Sequence, residues 1–218
     1  NTTGEKNVAI GTDAMGSNTT ADNNTAVGNS ALFANTTGED NVAVGALSAD
    51  ALTTGSRNTA IGRSALTLDT AGERAVAVGF GALQTQNFTS DTDNYNVGIG
   101  YNAGALISTG TVNTLVGGLC GDAITTGASN VAVGYLSLSA NTTADNNTAV
   151  GAAALLSNTT GAGNVAVGHQ ALDANTTGAN LVGIGSAALG ANTTANNNTA
   201  VGAAALLANT TGDENTAV

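Results

Sequence analysis

Apolar and polar positions recur along the chain with a single period. The segment Asn-Thr/Val-Ala-Val/Ile-Gly returns at every seventeenth position, except for one step, between the copies that begin at Ala75 and Asn96, that is four positions longer. One unit reads N-[TV]-A-[VI]-G-x-x-A-L-x-x-N-T-T-G-x-x, and its positions are called slots 1 to 17 below. Twelve full copies and a partial thirteenth have slot 1 at Asn7, Asn24, Asn41, Asn58, Ala75, Asn96, Asn113, Asn130, Asn147, Asn164, Leu181, Asn198 and Asn215. A repeat of this kind predicts a repeat architecture.

The pattern inside one unit predicts strands and turns. Slots 2 to 4 read β-branched, small, β-branched, which is typical of a short strand with slots 2 and 4 on one face. Ala-Leu at slots 8 and 9 predicts a second short strand, and Asn-Thr-Thr-Gly at slots 12 to 15 predicts a turn. Helical repeats need units about twice as long. We therefore predict an all-β fold, a parallel β-solenoid (β-roll) of about twelve 17-residue coils stacked roughly 4.8 Å apart.

Three slots predict how the coils pack. Slot 4 is always Val or Ile and is expected to form the core, together with the Leu of slot 9. Slot 3 is nearly always Ala, too small to fill a core, so we expect it to pack closely against another chain in an elongated oligomer. The Asn of slot 1 predicts a ladder of amide hydrogen bonds. The alternative, that Asn merely tolerates a turn there, stays open at this stage.

Composition and charge exclude several classes of protein. The 218 residues include only four Lys and Arg against fifteen Asp and Glu, a net charge of −11, which excludes a nucleic-acid binder. The single cysteine, Cys120, excludes a disulfide scaffold. No apolar run approaches the ~18 residues of a membrane span, and we expect no signal peptide at the start of the sequence. Charges collect at slots 16 and 17, an expected solvated corner where Asp40 would stack on Arg57.

The repeat resembles a known family. Residues 7–11, 41–45 and 164–168 carry a pattern similar to the YadA-type head repeat of trimeric autotransporter adhesins, and to repeats of bacteriophage tail-fibre proteins. The resemblance extends over essentially the whole chain. It implies a left-handed parallel β-roll, a homotrimer, and a place on a cell surface or virion. This unit is longer than the common repeat of the family, which puts the coil shape and the trimer packing in question.

The longer step of the repeat is the first place that could carry chemistry. Four extra residues produce an inserted loop around 86–95, within a single domain that extends over 1–218. We expect this loop to bulge from the rod with Phe88 and Tyr95. It is either a ligand-contact loop, with Asp91, Asp93 and Asn94 as candidate Ca²⁺ ligands, or a tolerated insertion. The sequence lacks the Gly and the distal Glu of a typical calcium loop, so no metal site is predicted.

The remaining reactive residues are scattered. His169 is the only histidine and is expected at an outward turn, while Cys120 takes slot 8 and is expected to be a small buried filler. Asp50, Asp69 and Asp122 lie at different slots and do not form the carboxylate pair of a glycosidase. The Asn-Thr-Thr triplets match the glycosylation acceptor pattern, but they follow from the repeat and we expect no glycan there. The sequence predicts no catalytic, cofactor or metal site, and no enzyme.

The function that these observations favour is structural. We expect a structural and adhesive module of an extracellular surface or virion fibre, which supplies rigid length and a repeated binding surface. The chain opens and closes in mid-repeat, so the alternative is a subunit that stacks on itself in an extracellular filament. An ice-binding solenoid is less favoured, because the adjacent Thr of slots 13 and 14 point in different directions. Expected partners are copies of the chain and a host-surface or matrix ligand.

Overall fold

The computed structural model describes residues 2–218, and only residue 1 of the predicted domain lies outside it. The described residues form strands, turns and bends without a helix, which confirms the all-β prediction. The fifteen strands are β1 Val8–Ile10, β2 Thr25–Val27, β3 Val42–Val44, β4 Thr59–Ile61, β5 Gly72–Glu73, β6 Val76–Val78, β7 Thr92–Asp93, β8 Val97–Ile99, β9 Thr114–Val116, β10 Val131–Val133, β11 Thr148–Val150, β12 Val165–Val167, β13 Val182–Ile184, β14 Thr199–Val201 and β15 Thr216–Ala217.

Thirteen of these strands form one parallel sheet, with one strand from each coil. Neighbours in the sheet are successive coils, and the pairing joins identical slots, as in Val131↔Thr148 and Ala132↔Ala149. The register passes unchanged across the longer step, where Val76 pairs with Val97. Of the two other strands, β7 lies within the inserted segment 86–95 and pairs with β5 of the preceding coil. The parallel β-solenoid of about twelve coils is thereby confirmed.

The side of the strand that faces the core is the opposite of the predicted one. The slot 3 alanines, such as Ala26 and Ala149, are completely buried, whereas slot 4 side chains such as Ile61 and Val167 are 39% and 36% exposed. The core therefore consists of slot 3 Ala, slot 8 Ala and slot 9 Leu. One coil is too narrow to hold a column of Val or Ile opposite the Leu column, so small side chains occupy the inward face. Slot 3 packs inside its own chain, so it cannot be the contact between chains.

The predicted second strand at slots 8 and 9 is also wrong. The residues at slots 7 and 9 have positive φ, for example Ala153 at +58° and Leu155 at +51°, and the segment forms consecutive turns. Left-handed residues two positions apart prevent an extended chain. The apolar character of these slots comes from filling the coil interior, since Leu155 is completely buried.

Two columns of asparagine tie the coils together. At slot 1 the side chain closes its own coil and caps the next one: Asn147 Nδ2 donates to the Gly161 carbonyl at 3.0 Å, and Asn147 N–H donates to Asn130 Oδ1 at 3.0 Å. At slot 12 the amides bond directly to each other, as from Asn175 Nδ2 to Asn158 Oδ1 at 2.9 Å. The ladder predicted at slot 1 is present, but most of its bonds run to backbone groups, and complete burial excludes the turn-only alternative.

Three coils use a different filling of the same interior. Coils 3, 6 and 7 carry Ala or Gly at slot 9 and an aliphatic side chain at slot 12: Leu52, Ile107 and Ile124, all completely buried. A methyl group placed on Gly104 would lie 2.6 Å from Leu115 Cδ1 and 3.0 Å from Ile107 Cδ1, and one on Gly121 would lie 2.8 Å from Ile124 Cδ1 and 2.9 Å from Leu115 Cδ2. In coils 6 and 7 the slot 12 side chain therefore shares with Leu115 of slot 3 the space that the slot 9 Leu fills in the other coils.

Candidate functional surfaces

The insertion is anchored to the rod at Gln86 and Phe88, while residues 89–91 are exposed as expected of a projecting loop. Gln86 is completely buried and Phe88 is 7% exposed, while only Tyr95 of the two expected aromatic residues projects into solvent. The expectation for Phe88 was wrong because the insertion has a buried polar anchor. Asp69 Oδ1 accepts the Gly72 and Phe88 N–H groups, both at 3.0 Å, and Asp69 Oδ2 accepts Gln86 Nε2 at 2.6 Å.

The anchor continues into the slot 1 ladder of the next coil. Gln86 Oε1 accepts Asn96 Nδ2 at 2.9 Å, and Asn94 Oδ1 accepts the Asn96 N–H at 2.9 Å. Asp69 and Gln86 occupy the slot 12 column, so they replace two asparagines of that column. The carboxylate offers acceptors only, which matches the three N–H groups that point at it.

The candidate calcium ligands are not brought together. Asp93 forms an ion pair with Arg74, Asn94 is completely buried in the anchor, and Asp91 Oδ1 accepts the Thr54 hydroxyl at 3.2 Å. Within residues 2–218, no group of three or more His, Cys, Asp and Glu side chains is placed to hold a metal ion.

The charged corner forms a small network beside the insertion. Glu73 lies between Arg57, with which it forms a close ion pair, and Arg74, at 3.6 Å. The Arg74 guanidinium also lies 5.7 Å from the centroid of the Tyr95 ring. The ion pair of Arg57 is therefore with Glu73 of the next coil, and the expected pairing with Asp40 was wrong. Because Arg57 and Asp93 are nearly half exposed, these pairs hold the β5–β7 edge weakly.

His169 and Cys120 lie where the sequence predicted. His169 is exposed at a turn, and Cys120 is completely buried, with Sγ 3.0 Å from the Gly117 carbonyl. Ser137 makes the same contact from slot 8, with its hydroxyl 3.0 Å from the Gly134 carbonyl. Burial raises the pKa of the Cys120 thiol from 9.0 to about 12. The cysteine is thus a neutral substitute for Ser or Ala.

The threonine turn has one inner and one outer column. Slot 13 hydroxyls donate to carbonyl groups of the next coil, as from Thr159 to Thr176 at 3.0 Å, whereas the side chains of the outer column, slot 14, are exposed, as at Thr160. The acceptor asparagines that precede them are mostly buried, including Asn158 and Asn175, which leaves no room for a glycan. A single exposed Thr column is narrower than a flat ice-binding face. That alternative stays untested, and a thermal hysteresis measurement tests it.

The outer face of the large sheet is apolar along its whole length. It carries Val or Thr at slot 2 and Val or Ile at slot 4, with Ile61, Ile99, Val133 and Ile184 between 36% and 39% exposed. Exposed apolar patches of this extent mark sites of association. The alternation of Val and Thr at slot 2 predicts a half-buried or interface column, and slot 2 is half-buried in most coils of the structure. Only slot 4 of this face was wrongly expected in the core.

A second surface follows the bend at slot 5. Slot 6 carries Phe80, Tyr101 and Tyr135, which are 46%, 56% and 57% exposed and are three of the six aromatic residues of the chain. The Phe80 and Tyr101 rings stack with centroids 5.7 Å apart and an interplanar angle of 15°. His169 occupies the same slot further along the rod. This column was not predicted, although the shared slot places its residues together.

Comparison with known proteins adds no relative. No family model, no curated protein and no solved structure matches the chain. Residues 2–218 contain no helix of the length and apolarity that a membrane crossing requires.

The three scattered carboxylates remain separate in the structure, as their different slots predict. Asp50 accepts a hydrogen bond from the Thr67 hydroxyl, Asp122 accepts one from Ser139 Oγ at 2.5 Å, and Asp69 belongs to the anchor.

Proposed function

We propose that the chain is a structural and adhesive module of an extracellular fibre, on a cell surface or a virion, and not an enzyme. The observation that carries the proposal is the uninterrupted thirteen-stranded parallel sheet with one strand per coil. At the usual strand spacing, thirteen strands extend over about 60 Å. A chain that converts each repeat unit into the same increment of length is suited to build a rod.

The bonds between coils support a rigid rod. Most coils are joined to the next by the sheet, by the slot 1 asparagine and by the slot 13 hydroxyl, although coils 5 and 11 carry Ala75 and Leu181 at slot 1. Further backbone hydrogen bonds join the coils along their turns. Between coils 9 and 10, for example, Asn164 N–H donates to Asn147 Oδ1 at 3.0 Å and Thr159 Oγ1 donates to the Thr176 carbonyl at 3.0 Å. Bending the rod in any direction therefore stretches hydrogen bonds on one side.

The apolar outer face of the sheet supports self-association. Alternating Val, Ile and Thr side chains form two parallel columns that a second copy of the chain can cover. The resemblance to trimeric adhesin heads favours a homotrimer of left-handed rolls, now with slots 2 and 4 at the contact instead of slot 3. The same resemblance is what favours an extracellular place and a host-surface or matrix ligand. The alternative is a subunit that adds end to end, through the sheet edges β1 and β15.

Light scattering and electron microscopy of the purified protein test this function. We expect rods about 60 Å long for each chain and a particle mass near three times 20.9 kDa. Changing Val133 and Val167 to Lys places charges in the proposed contact, and we expect this variant to dissociate while its circular dichroism stays that of β structure. Thr143→Lys and Thr160→Lys, on the exposed slot 14 column, form the matched control.

Two results would contradict the proposal. A wild-type mass of 20.9 kDa at micromolar concentration would remove the self-associating face, and compact particles would remove the rod. Filaments of unlimited length, with a mass that grows with protein concentration, would favour end-to-end stacking over the trimer. In that case the Val133→Lys and Val167→Lys changes would not lower the mass.

A further inference from the structure

We propose that the threonines of slot 2 set the alignment in which copies of the chain associate, so that their outer faces meet in parallel and identical coils lie at the same height along the rod. This alignment rests on the self-association proposed above. It selects a closed assembly, such as a trimer, over copies that slip along one another and leave part of each outer face uncovered.

The outer face has the size of a contact between two copies of the chain. Its thirteen strands, mostly of three residues, form one continuous strip along the rod. At the usual strand dimensions the strip measures about 60 Å by 10 Å, or about 600 Å², which is comparable with the roughly 800 Å² that each partner gives to a stable contact. A second copy has the same length and can cover the whole strip.

The slot 2 threonines hold hydroxyl groups that are available to such a partner. Thr25, Thr59 and Thr148 are half-buried, and their Oγ1 atoms form no hydrogen bond within residues 2–218. The threonines of slot 13 differ, because their hydroxyls donate to carbonyl groups of the next coil, as from Thr125 to Thr142 at 3.1 Å. The slot 2 hydroxyls therefore have no role inside the coil.

The order of valine and threonine along slot 2 matches itself fully in only one alignment. Threonine occupies slot 2 in coils 2, 4, 7, 9, 12 and 13, and valine occupies it in the others. Their alternation changes phase at the insertion, where Val97 follows Val76, and again where Val182 follows Val165.

Two parallel copies at the same height place all six slot 2 threonines of one copy opposite threonines of the other. A slip along the rod aligns at most three of the six, and a reversed copy aligns at most four. The slip that aligns three is by five coils, and it leaves five of the thirteen strands uncovered. A strictly alternating column would instead tolerate every slip by two coils.

Hydrogen bonding is what makes the alignment matter. Valine and threonine have nearly the same shape, so packing at the contact does not distinguish them. A threonine opposite a valine loses its hydrogen bonds to water and gains none, which is unfavourable. Three threonines at one height can each donate to one neighbour and accept from the other. Slipped copies are therefore penalised, as when a polar residue in the apolar seam of a coiled coil specifies its register.

Disulfide crosslinking measures the alignment. Val133→Cys in coil 8 and Val167→Cys in coil 10 are made in separate chains that are co-expressed, and both chains also carry Cys120→Ser. The two sites lie two coils apart, or roughly 10 Å along the rod, which is farther than a disulfide bridges. We expect links between identical sites to exceed links between different sites at least tenfold, as measured by mass spectrometry without reductant.

Removal of the slot 2 hydroxyls should relax the alignment without weakening the association. With five of these threonines changed to valine, we expect the share of links between different sites to rise about tenfold, while the circular dichroism stays that of β structure. The matched control changes five exposed slot 14 threonines to valine and should keep the wild-type ratio. The slot 2 set is Thr25, Thr59, Thr114, Thr148 and Thr199, and the control set is Thr37, Thr126, Thr143, Thr160 and Thr177.

Three results would overturn the proposal: no link between identical sites, equal yields of both kinds of link, or a ratio that the slot 2 valines leave unchanged. A wild-type protein with the mass of three chains that gives any of these results would keep the proposed fibre role and lose only the alignment. A wild-type mass of one chain would remove the self-association and the alignment together, so the two failures are distinguishable.

Discussion

The C-terminal coils and the middle coils have the same backbone arrangement but carry different side chains at slot 12. From coil 8 to coil 11, slot 12 is a ladder of Asn141, Asn158, Asn175 and Asn192, whose amides bond to one another. From coil 3 to coil 7 the same slot carries Leu52, Asp69, Gln86, Ile107 and Ile124. The sheet register is nevertheless identical in both regions.

The difference shows that the sheet and the slot 1 ladder are sufficient to set the register, while slot 12 only needs to be filled. Leu52 offers no donor to Asn35 Oδ1 of the preceding coil, which has no hydrogen-bond partner in the part of the chain that the structure describes. The bond between coils at slot 12 is also missing where asparagine follows asparagine, because Asn18 Oδ1 and Asn192 Oδ1 have no partner within residues 2–218 either. The insertion shows a third solution, in which Asp69 accepts two backbone N–H groups and Gln86 joins Asp69 to the side chain of Asn96. Each prediction below tests how far these solutions are interchangeable.

The largest effect is expected from a change that both regions share, at the slot 5 glycine. Gly151→Ala would place a methyl group 2.5 Å from the Gly168 carbonyl oxygen, at a φ of +129° that other residues rarely adopt. We expect a loss of about 4 kcal/mol or more in the free energy of unfolding. Urea denaturation followed by circular dichroism measures it. Gly118→Ala, at ordinary φ and with 3.7 Å of clearance, is the control and should change stability by less than about 0.5 kcal/mol.

Coil 9, which has the regular Leu at slot 9 and Asn at slot 12, can be changed to carry Gly at slot 9 and Ile at slot 12. Leu155→Gly alone should cost about 2 to 4 kcal/mol through the cavity it leaves. Adding Asn158→Ile, which copies the slot 12 part of the filling of coils 6 and 7, should recover about 1 to 2 kcal/mol of that loss. The measurement is a double-mutant cycle by urea denaturation. Strictly additive losses would show that the two fillings are not interchangeable.

Restoring the repeat residue at the insertion should be harmful. Asp69→Asn replaces an acceptor-only carboxylate, and its NH₂ group would then oppose either Gln86 Nε2 or a backbone N–H. We expect a loss of about 2 kcal/mol from an unpaired buried donor. Thermal unfolding measures the loss, and Asp122→Asn, outside the anchor, controls for the change in charge. A stabilised Asp69→Asn protein would mean that the anchor is dispensable.

The smallest effect concerns Cys120 in coil 7 and its dependence on pH. Burial raises the pKa of this thiol from 9.0 to about 12 in the folded protein, so the unfolded chain loses its proton first as the pH rises. Stability from this group is complete below pH 9 and is lost between pH 9 and 12, by on the order of 1 kcal/mol at pH 10. Urea midpoints at pH 8 and pH 10 measure it, relative to Cys120→Ser. An equal decline in both proteins would assign the pH dependence to other groups.

The period, the coil count and the parallel register could all be predicted from the sequence, because identical slots must stack. The inside of the strand could not be predicted from hydrophobicity. Val44 and Ile61 are larger and more apolar than Ala43 and Ala60, yet they face outward. Side chains alternate between the two faces of a strand, so a buried Asn ladder at slot 1 requires slot 3, two positions further on, to face inward as well. The ladder and a slot 4 core were incompatible expectations.

The turns at slots 8 and 9 and the burial of Phe88 in the insertion could not be predicted from the sequence, for a different reason. Leucine is a poor indicator of a left-handed conformation, so Leu66 and Leu172 at φ of +55° gave no sign that slots 8 and 9 are turns. Burial of Phe88 depends on Asp69, which lies one coil earlier, and no local pattern joins them. The slot 6 column could have been predicted from the slot numbering alone, because Phe80, Tyr101 and Tyr135 share that slot.

The constant register has a consequence for how such chains change over generations. Inserting or deleting one whole repeat unit adds or removes one coil and leaves every remaining hydrogen bond in place, so gene duplication can alter the length of the rod without redesigning its interior. A step of any other size keeps the register only if its extra residues are held outside the columns, as Asp69 and Gln86 hold those of the single longer step. The length of the rod is therefore set by the number of coils, one of which is irregular.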